Sequence, residues 1–145
     1  MTKDPHFVAL QNMYMAAPIS ELYHPSIVIS DAEMTIEIGV SEGVFHSAGA
    51  LHGSVYFKML DAAAFFAANS LEREVFVLTT SFTTYLTRPV SSGTLRSEGH
   101  VVNRNRSQFI AEAVLHYSEG TQIGRGSGVF MRSERPLSEA RGYAD

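Results

Sequence analysis

The longest apolar run of the chain, residues 55–71 (VYFKMLDAAAFFAANSL), contains neither glycine nor proline. Its length and its alanine and leucine content predict a helix. The run is apolar on nearly every side, so we expect the helix to be buried. Asp61 is the exception, because an unpaired carboxylate in such surroundings costs several kcal/mol or takes up a proton. Asp61 therefore needs either a partner or a function.

Two explanations for Asp61 stay open. Lys58, three residues earlier, would form an i,i+3 ion pair worth only about 0.2–0.5 kcal/mol, in the less favourable base-before-acid order. Alternatively, Asp61 faces a site whose other groups lie at the start of the helix. There Gly53 permits close approach to the backbone, and free N–H groups can polarise an oxygen. With His52 beside them, this second arrangement favours acyl chemistry.

Period-two alternation, or a β-branched and aromatic composition, marks the segments around this helix. Strands are predicted over residues 27–29, 33–40, 75–87, 94–102, 109–117 and 122–131, with 27–29 at an edge. The spacing of the last four predicts a meander of antiparallel strands. The sequence thus predicts an α+β fold in which a curved antiparallel sheet of five or six strands wraps one long helix. Open strand edges favour a dimer with a continuous sheet.

The two ends of the chain differ in character. Residues 4–17 carry apolar side chains at helical spacing and Pro18 ends the pattern, which predicts a short helix that packs as a lid or against a partner. Residues 133–145 are polar, and we expect the chain to fray from Arg132 onward. Residues 1–145 as a whole are expected to form one domain.

Composition narrows the chemistry. The 145 residues include no cysteine, which excludes disulfides, a thiol nucleophile and a thiolate metal site. The net charge of -4 gives no general basic surface for nucleic acid. Four histidines are scattered without metal-ligand spacing, so no metal is expected: His6, His24, His100 and His116. We find no signal-peptide pattern and no charge-free apolar stretch that spans a bilayer, which makes a cytoplasmic protein without a membrane partner the default expectation.

Three stretches carry a family resemblance. They are the loop 46–54 (HSAGALHGS) with Asp61 after it, the strand end 85–89 (YLTRP) and the last-strand segment 126–130 (GSGVF). Over about residues 5–133 the chain resembles the hotdog-fold acyl-CoA thioesterases, most closely the group typified by the phenylacetate-degradation thioesterase. The loop and acid positions that match that group are Gly49, His52, Gly53 and Asp61. His46 stands where the group usually has asparagine, and Ser54 replaces its second glycine.

The resemblance implies roles for these residues. A thioester carbonyl would accept a hydrogen bond from the Gly53 N–H, aided by the helix dipole. Asp61 of the partner subunit would activate a water molecule or attack directly. His52 and His46 would hold the leaving thiolate or the water. The implied substrate-binding residues are Thr80, on the strand that crosses the site, and three candidates for the coenzyme A phosphates, Arg88, Arg104 and Arg106.

These residues also have structural explanations. Loops carry polar residues for many reasons, arginines in the hairpin turn 103–106 are ordinarily solvated, and threonine is a good strand residue wherever it stands. The three arginines remain candidates for the coenzyme A phosphates because guanidinium groups bind phosphates well.

The function implied is hydrolysis of an acyl-CoA, with an aryl or a short- to medium-chain acyl group, by a homodimer or homotetramer. No cofactor is implied, since coenzyme A is part of the substrate. Two other functions stay open: a hotdog acyl-CoA hydratase or dehydratase, and a non-catalytic acyl-CoA-binding module in which Asp61 serves packing. The sequence leaves open the acyl group, the choice between coenzyme A and an acyl-carrier protein, and whether Asp61 is nucleophile or base.

Overall fold

The structure is a computed structural model that describes residues 3–144; Met1, Thr2 and Asp145 lie outside the described part. Within it, two α-helices and six strands are present, in the order β-β-α-β-β-β-β after the first helix. The helices are α1 (Pro5–Ala16) and α2 (Gly53–Leu71). The strands are β1 (Ser26–Ser30), β2 (Glu33–Gly39), β3 (Val75–Leu86), β4 (Thr94–Arg104), β5 (Gln108–Tyr117) and β6 (Gln122–Pro136). No helix within residues 3–144 is long and apolar enough to cross a membrane.

The sheet is antiparallel throughout, with the strand order β1-β2-β4-β5-β6-β3. It is the curved sheet that the sequence predicted, and β1 lies at an edge as expected. The predicted meander is correct for β4, β5 and β6 but wrong for β3, which pairs with β6 at the far edge instead of with β4. Alternation shows which face of a strand is buried and does not show its neighbour. Here Phe76 packs against Phe65 of α2, and Phe82 packs against Phe130 of β6. These contacts stabilise β3 beside β6.

Helix α2 lies across the sheet as the centre of the core. Its alanines are almost fully buried, and they allow the sheet to come close. At Gly99 on β4, a Cβ atom would overlap the backbone carbonyl group of Ala63, so only glycine fits there without a shift of backbone. Gly126 and Gly128 on β6 have a similar cause, because the ring of Phe82 occupies the space that a Cβ at either position would need. The glycine pair of the last strand is therefore explained by packing.

Both ends of the described chain pack against the domain. Helix α1 begins where the Asp4 side chain accepts a hydrogen bond from the His6 N–H, and it ends before Pro18 as predicted. The expectation of a frayed tail from Arg132 is wrong, since β6 continues to Pro136 and Leu137 is buried. The polar composition of this segment does not show the contacts that keep it in the sheet. The Arg132 guanidinium stacks on Phe109 and pairs with Glu72 at 2.8 Å, which keeps the strand in the sheet.

Candidate active site

Asp61 lies halfway along α2, at a cavity between α2, α1 and β3. The cavity has a volume of about 230 Å³, and its walls are largely apolar. The side chain of Asp61 is half-buried, and its Oδ1 accepts a hydrogen bond from Thr79 Oγ1 at 2.9 Å. Burial raises the pKa of Asp61 above its ordinary value, while the Thr79 hydrogen bond and the charge of Lys58 act in the opposite direction. A carboxylate in this setting is more basic than one in water, which suits general-base chemistry.

The simple ion-pair explanation of Asp61 does not match the structure. Lys58 donates to Tyr14 Oη at 3.2 Å, and within residues 3–144 no cationic nitrogen lies within 4.0 Å of the Asp61 carboxylate. Lys58 acts on Asp61 through its charge alone. Asp61 is thus a partly buried acid whose only hydrogen-bonding side chain, among the described residues, is the hydroxyl of Thr79.

The start of α2 leaves one N–H group open. His52 caps the helix with extended backbone angles, φ -63° and ψ 140°, and its Nδ1 accepts a hydrogen bond from the Ser54 N–H at 3.1 Å. The Val55 N–H donates to the His52 carbonyl at 3.0 Å. The Gly53 N–H has no acceptor among the hydrogen bonds of residues 3–144. An open N–H at the positive end of a helix is a ready donor to a carbonyl oxygen or an anion.

The loop before the helix is held by its own backbone. The His46 N–H donates to the Ala50 carbonyl at 2.9 Å, and the Gly49 N–H donates to the His46 carbonyl at 3.1 Å. Gly49 has φ +82°, a left-handed conformation that favours glycine, so this position of the motif is set by a turn. His46 Nδ1 accepts from the Ala48 N–H at 3.1 Å. The imidazoles of His46 and His52 are both exposed, and each bonds to its own loop or helix start.

Gly53 and Asp61 do not converge within one chain. They are eight residues apart on α2, which is a distance of about 12 Å along a helix that rises 1.5 Å per residue. A reacting carbonyl must lie about 3–3.5 Å from the group that attacks it. One chain therefore carries two separate halves of the predicted site. Gly53 and Asp61 lie on the same face of the helix because two successive steps of four residues separate them.

A β-bulge changes which threonine lies at the site. The register of β3 against β6 shifts between Thr79 and Ser81, which leaves Thr80 as the extra residue. The Thr80 hydroxyl donates to the Val129 carbonyl at 3.2 Å, whereas Thr79 contacts Asp61. Sequence reasoning missed Thr79 because strict alternation does not anticipate a bulge. The run of threonines in β3 was the available signal.

The three arginines lie at different places on the exposed surface. Arg88 follows β3, pairs with Glu119 at 3.3 Å, and lies near the helix start, since the Tyr56 hydroxyl donates to the Arg88 carbonyl. Arg104 is the last residue of β4, two positions beyond the predicted end of that strand, and Arg106 lies in the turn that follows. Neither Arg104 nor Arg106 forms an ion pair with any residue of the described chain.

The strand register relates the arginines to the acid. Arg104 pairs with Phe109, Phe109 with Phe130, and Phe130 with Thr79. This row crosses four strands, so Arg104 is about 14 Å from Thr79 at the usual spacing between strands.

Across the described residues, no group of three or more histidine or acidic side chains is arranged to hold a metal ion.

Comparison with known structures gives the same fold. The PaaI protein of the E. coli phenylacetic acid degradation operon superimposes with a TM-score of 0.81 over 92% of this chain and 99% of its own, at 17% identity. A thioesterase family protein from Silicibacter pomeroyi gives 0.77 over 85% and 94%, at 21% identity. AziG from S. sahachiroi gives 0.76 over 81% and 97%, also at 21% identity. At these identities the likeness shows the fold alone, which is the hotdog fold.

No curated protein matches the sequence. The family model described as Thioesterase superfamily matches residues 48–123, from the loop before α2 into β6. This segment is more than half of the chain and includes both Gly53 and Asp61. The chain belongs to the thioesterase superfamily.

Proposed function

We propose that this protein hydrolyses an acyl-CoA to the free acid and coenzyme A. Membership of the thioesterase superfamily supports a thioesterase-type function. The observation that carries the finer proposal is the pairing of an open Gly53 N–H with a partly buried Asp61, whose pKa is raised, on one face of one helix. The first is a donor for a developing oxyanion, and the second is a base or nucleophile. Thioester hydrolysis requires both.

The chemistry follows from these two groups. The thioester oxygen accepts the Gly53 N–H, and negative charge develops there as the carbonyl carbon becomes tetrahedral. Asp61 takes a proton from water as the water oxygen bonds to the carbonyl carbon, or its carboxylate attacks that carbon and water later hydrolyses the anhydride. The carbon–sulfur bond breaks, and the leaving thiolate takes up the proton that water gave to Asp61 and departs as coenzyme A. Water thus supplies a hydroxyl group to the acid and a proton to the thiol, so no redox partner is needed.

The site is completed between subunits in this proposal. Because Gly53 and Asp61 of one chain are about 12 Å apart, Gly53 of one subunit must face Asp61 of the partner subunit. An exposed apolar surface supports the contact. It lies on α2 and on the open edge strand β3, where four large apolar side chains are exposed: Phe57, Leu78, Tyr85 and Leu86. Pairing of two β3 edges would give a homodimer with one continuous sheet, and two dimers would give the homotetramer.

The exposed arginines are the proposed coenzyme A contacts. Arg104 and Arg106 have no ion-pair partner among the described residues, so their charge is available to a phosphate. Arg88 is partly neutralised by Glu119 but lies at the Gly53 end of the site. His52 caps α2 and His46 lies in the loop before it, so their two exposed imidazoles are the proposed contacts of the leaving sulfur.

A thiol-release assay over a panel of acyl-CoAs tests the function. Many turnovers of thiol release, lost in Asp61→Asn, are expected. A change at an acyl double bond without thiol release would instead establish a hydratase, and tight binding with neither reaction would establish a binding module. Light scattering at micromolar concentration measures the assembly. A monomeric mass across that range would contradict the shared site.

A further inference from the structure

A polar pair interrupts the apolar wall of the cavity beside Asp61. Lys58 Nζ donates to Tyr14 Oη at 3.2 Å and lies 4.6 Å from the centroid of the tyrosine ring. Tyr14 is only 4% exposed, and its ring packs edge-on against Phe66 at a centroid separation of 5.1 Å. Tyr14, Lys58 and Asp61 all line the same cavity. The polar pair is therefore held in a fixed position against the space that an acyl group would enter.

The pair presents hydrogen-bond donors without acceptors. The Tyr14 hydroxyl proton has no acceptor among the hydrogen bonds of residues 3–144, and Lys58 uses one of three ammonium N–H groups. Leaving a buried polar group unpaired costs about 1–3 kcal/mol. Burial raises the pKa of Tyr14 far above its ordinary value, so the hydroxyl keeps its proton at neutral pH. If the pair only held α1 against α2, the one bond would suffice and the unpaired proton of the buried Tyr14 hydroxyl would be unexplained.

The charges around the cavity select the kind of oxygen that would accept from these donors. Lys58 and Asp61 already offset each other, and each favours the charged form of the other. A second carboxylate on the acyl group would leave an excess negative charge in partly buried surroundings, which is costly. A hydroxyl or oxo group accepts hydrogen bonds without changing this balance. The donors therefore suit a neutral oxygen better than an anionic one.

The position along the helix sets where that oxygen would lie. Lys58 precedes Asp61 by three residues, a rise of about 4.5 Å on α2. The reacting carbonyl carbon lies within about 3–3.5 Å of the attacking group, so a second oxygen a few bonds along the chain reaches the polar pair. Resting on the proposed function, we infer that Tyr14 and Lys58 recognise a neutral oxygen, a hydroxyl or oxo group, on a short acyl chain close to the thioester.

Three acyl-CoAs matched in chain length test this recognition: butanoyl-CoA, 3-hydroxybutanoyl-CoA and succinyl-CoA. Two quantities are measured, kcat/KM for thiol release by the native protein and the Kd for binding to Asp61→Asn protein. We expect 3-hydroxybutanoyl-CoA to be preferred over butanoyl-CoA by about 10- to 100-fold, the value of a hydrogen bond to a partly buried donor pair. Tyr14→Phe and Lys58→Met should each bring the ratio close to one.

A matched control is Tyr23→Phe. The ring of Tyr23 also lies near Lys58, at 6.0 Å from Nζ, but it does not line the cavity, so the preference should persist. Equal binding of the hydroxylated and plain acyl-CoAs would overturn the inference, as would a preference that survives both Tyr14→Phe and Lys58→Met. A higher kcat/KM of the native protein for succinyl-CoA than for 3-hydroxybutanoyl-CoA would also overturn it; the Kd of Asp61→Asn protein is compared only for the two uncharged acyl groups, because this variant lacks the charge that offsets Lys58. Absence of thiol release from all three would contradict the hydrolysis alone, because the binding ratio still reports on the polar pair.

Discussion

Replacing Gly53 with proline removes the proposed oxyanion donor and little else. Gly53 is the first residue of α2, where proline is favourable because its missing N–H has no partner within the helix. Proline also requires an extended residue before it, and His52 already has φ -63° and ψ 140°. A Cβ at position 53 would lie 3.2 Å from Leu86 Cδ1, the free end of an exposed side chain that can move. Gly53→Pro should therefore fold normally, and any effect on assembly of moving Leu86, which lies in the proposed dimer contact, should be the same in Gly53→Ala.

The expected loss is in catalysis. Removing one preorganised donor to an oxyanion costs about 10²–10³ in kcat. Gly53→Ala is the matched control, because it adds the same Cβ near Leu86 and keeps the N–H. We expect Gly53→Ala to retain activity within about tenfold and Gly53→Pro to lose it in the thiol-release assay. Full activity in Gly53→Pro, or an equal loss in both variants, would refute the role of this N–H.

Mixing two inactive variants then tests whether the site is shared. Gly53→Pro keeps a native Asp61, and Asp61→Asn keeps a native Gly53. In a mixed dimer one site receives both native groups and the other receives neither. Equal mixing with free exchange of subunits should restore about a quarter of the native sites, since half of the dimers are mixed and each has one intact site. No restoration after confirmed exchange would place both groups in one chain, contrary to their separation of about 12 Å along α2.

Three further predictions concern stability and binding. Burial raises the pKa of Asp61, so the contribution of this one carboxyl to stability falls as pH rises above its ordinary value of 3.8; Asp61→Asn should therefore be more stable than the native protein by about 0.5–2 kcal/mol in urea unfolding at neutral pH, and the difference should shrink toward pH 3.8. Gly99→Ala should lose about 1–3 kcal/mol or more because its Cβ meets the backbone of α2, whereas Gly39→Ala, with open space, should be near neutral. Replacing Arg104 and Arg106 with alanine should raise KM for acyl-CoA with little change in kcat, and less so at high salt. A stability difference between Asp61→Asn and the native protein that does not change with pH, a Gly99→Ala protein as stable as the native one, or an unchanged KM at low salt would contradict the respective arguments.

Local patterns were sufficient for most of the fold. The helix, the strand segments and the acid in an apolar run depend on residues near one another in sequence, and α2 begins two residues before its predicted start. The position of β3 was not predictable in this way, because its partner depends on contacts such as Phe82 with Phe130 across the sheet. The prediction of a frayed tail was wrong for a related reason, because Arg132 is polar in sequence but stacks on Phe109 in the structure.

Positions of the candidate site could be predicted where they follow from a helix start or from an acid in an apolar run, and their roles stay predictions. Gly53 and Asp61 are such positions. Thr79 was missed because a bulge moved the register by one residue, and a bulge has no clear sequence sign here. The contact of Lys58 with Tyr14 joins two helices and spans 44 residues of sequence. A local sequence pattern therefore indicated only the pairing of Lys58 with Asp61, three residues away.

In the proposed dimer, the spacing of Gly53 and Asp61 also determines where the two-fold axis would lie. If Gly53 faces Asp61 of the partner subunit, symmetry makes Asp61 face Gly53 of the partner subunit, so the two α2 helices run antiparallel about their midpoint. That midpoint is Phe57, one turn of helix from each end of the pair and on the same face. Phe57 is 42% exposed in the single chain although the rest of the helix is largely buried, and its ring packs against Phe82 of the edge strand β3. An antiparallel pairing of the two α2 helices would therefore cover Phe57, the exposed aromatic residue at the centre of an otherwise buried helix.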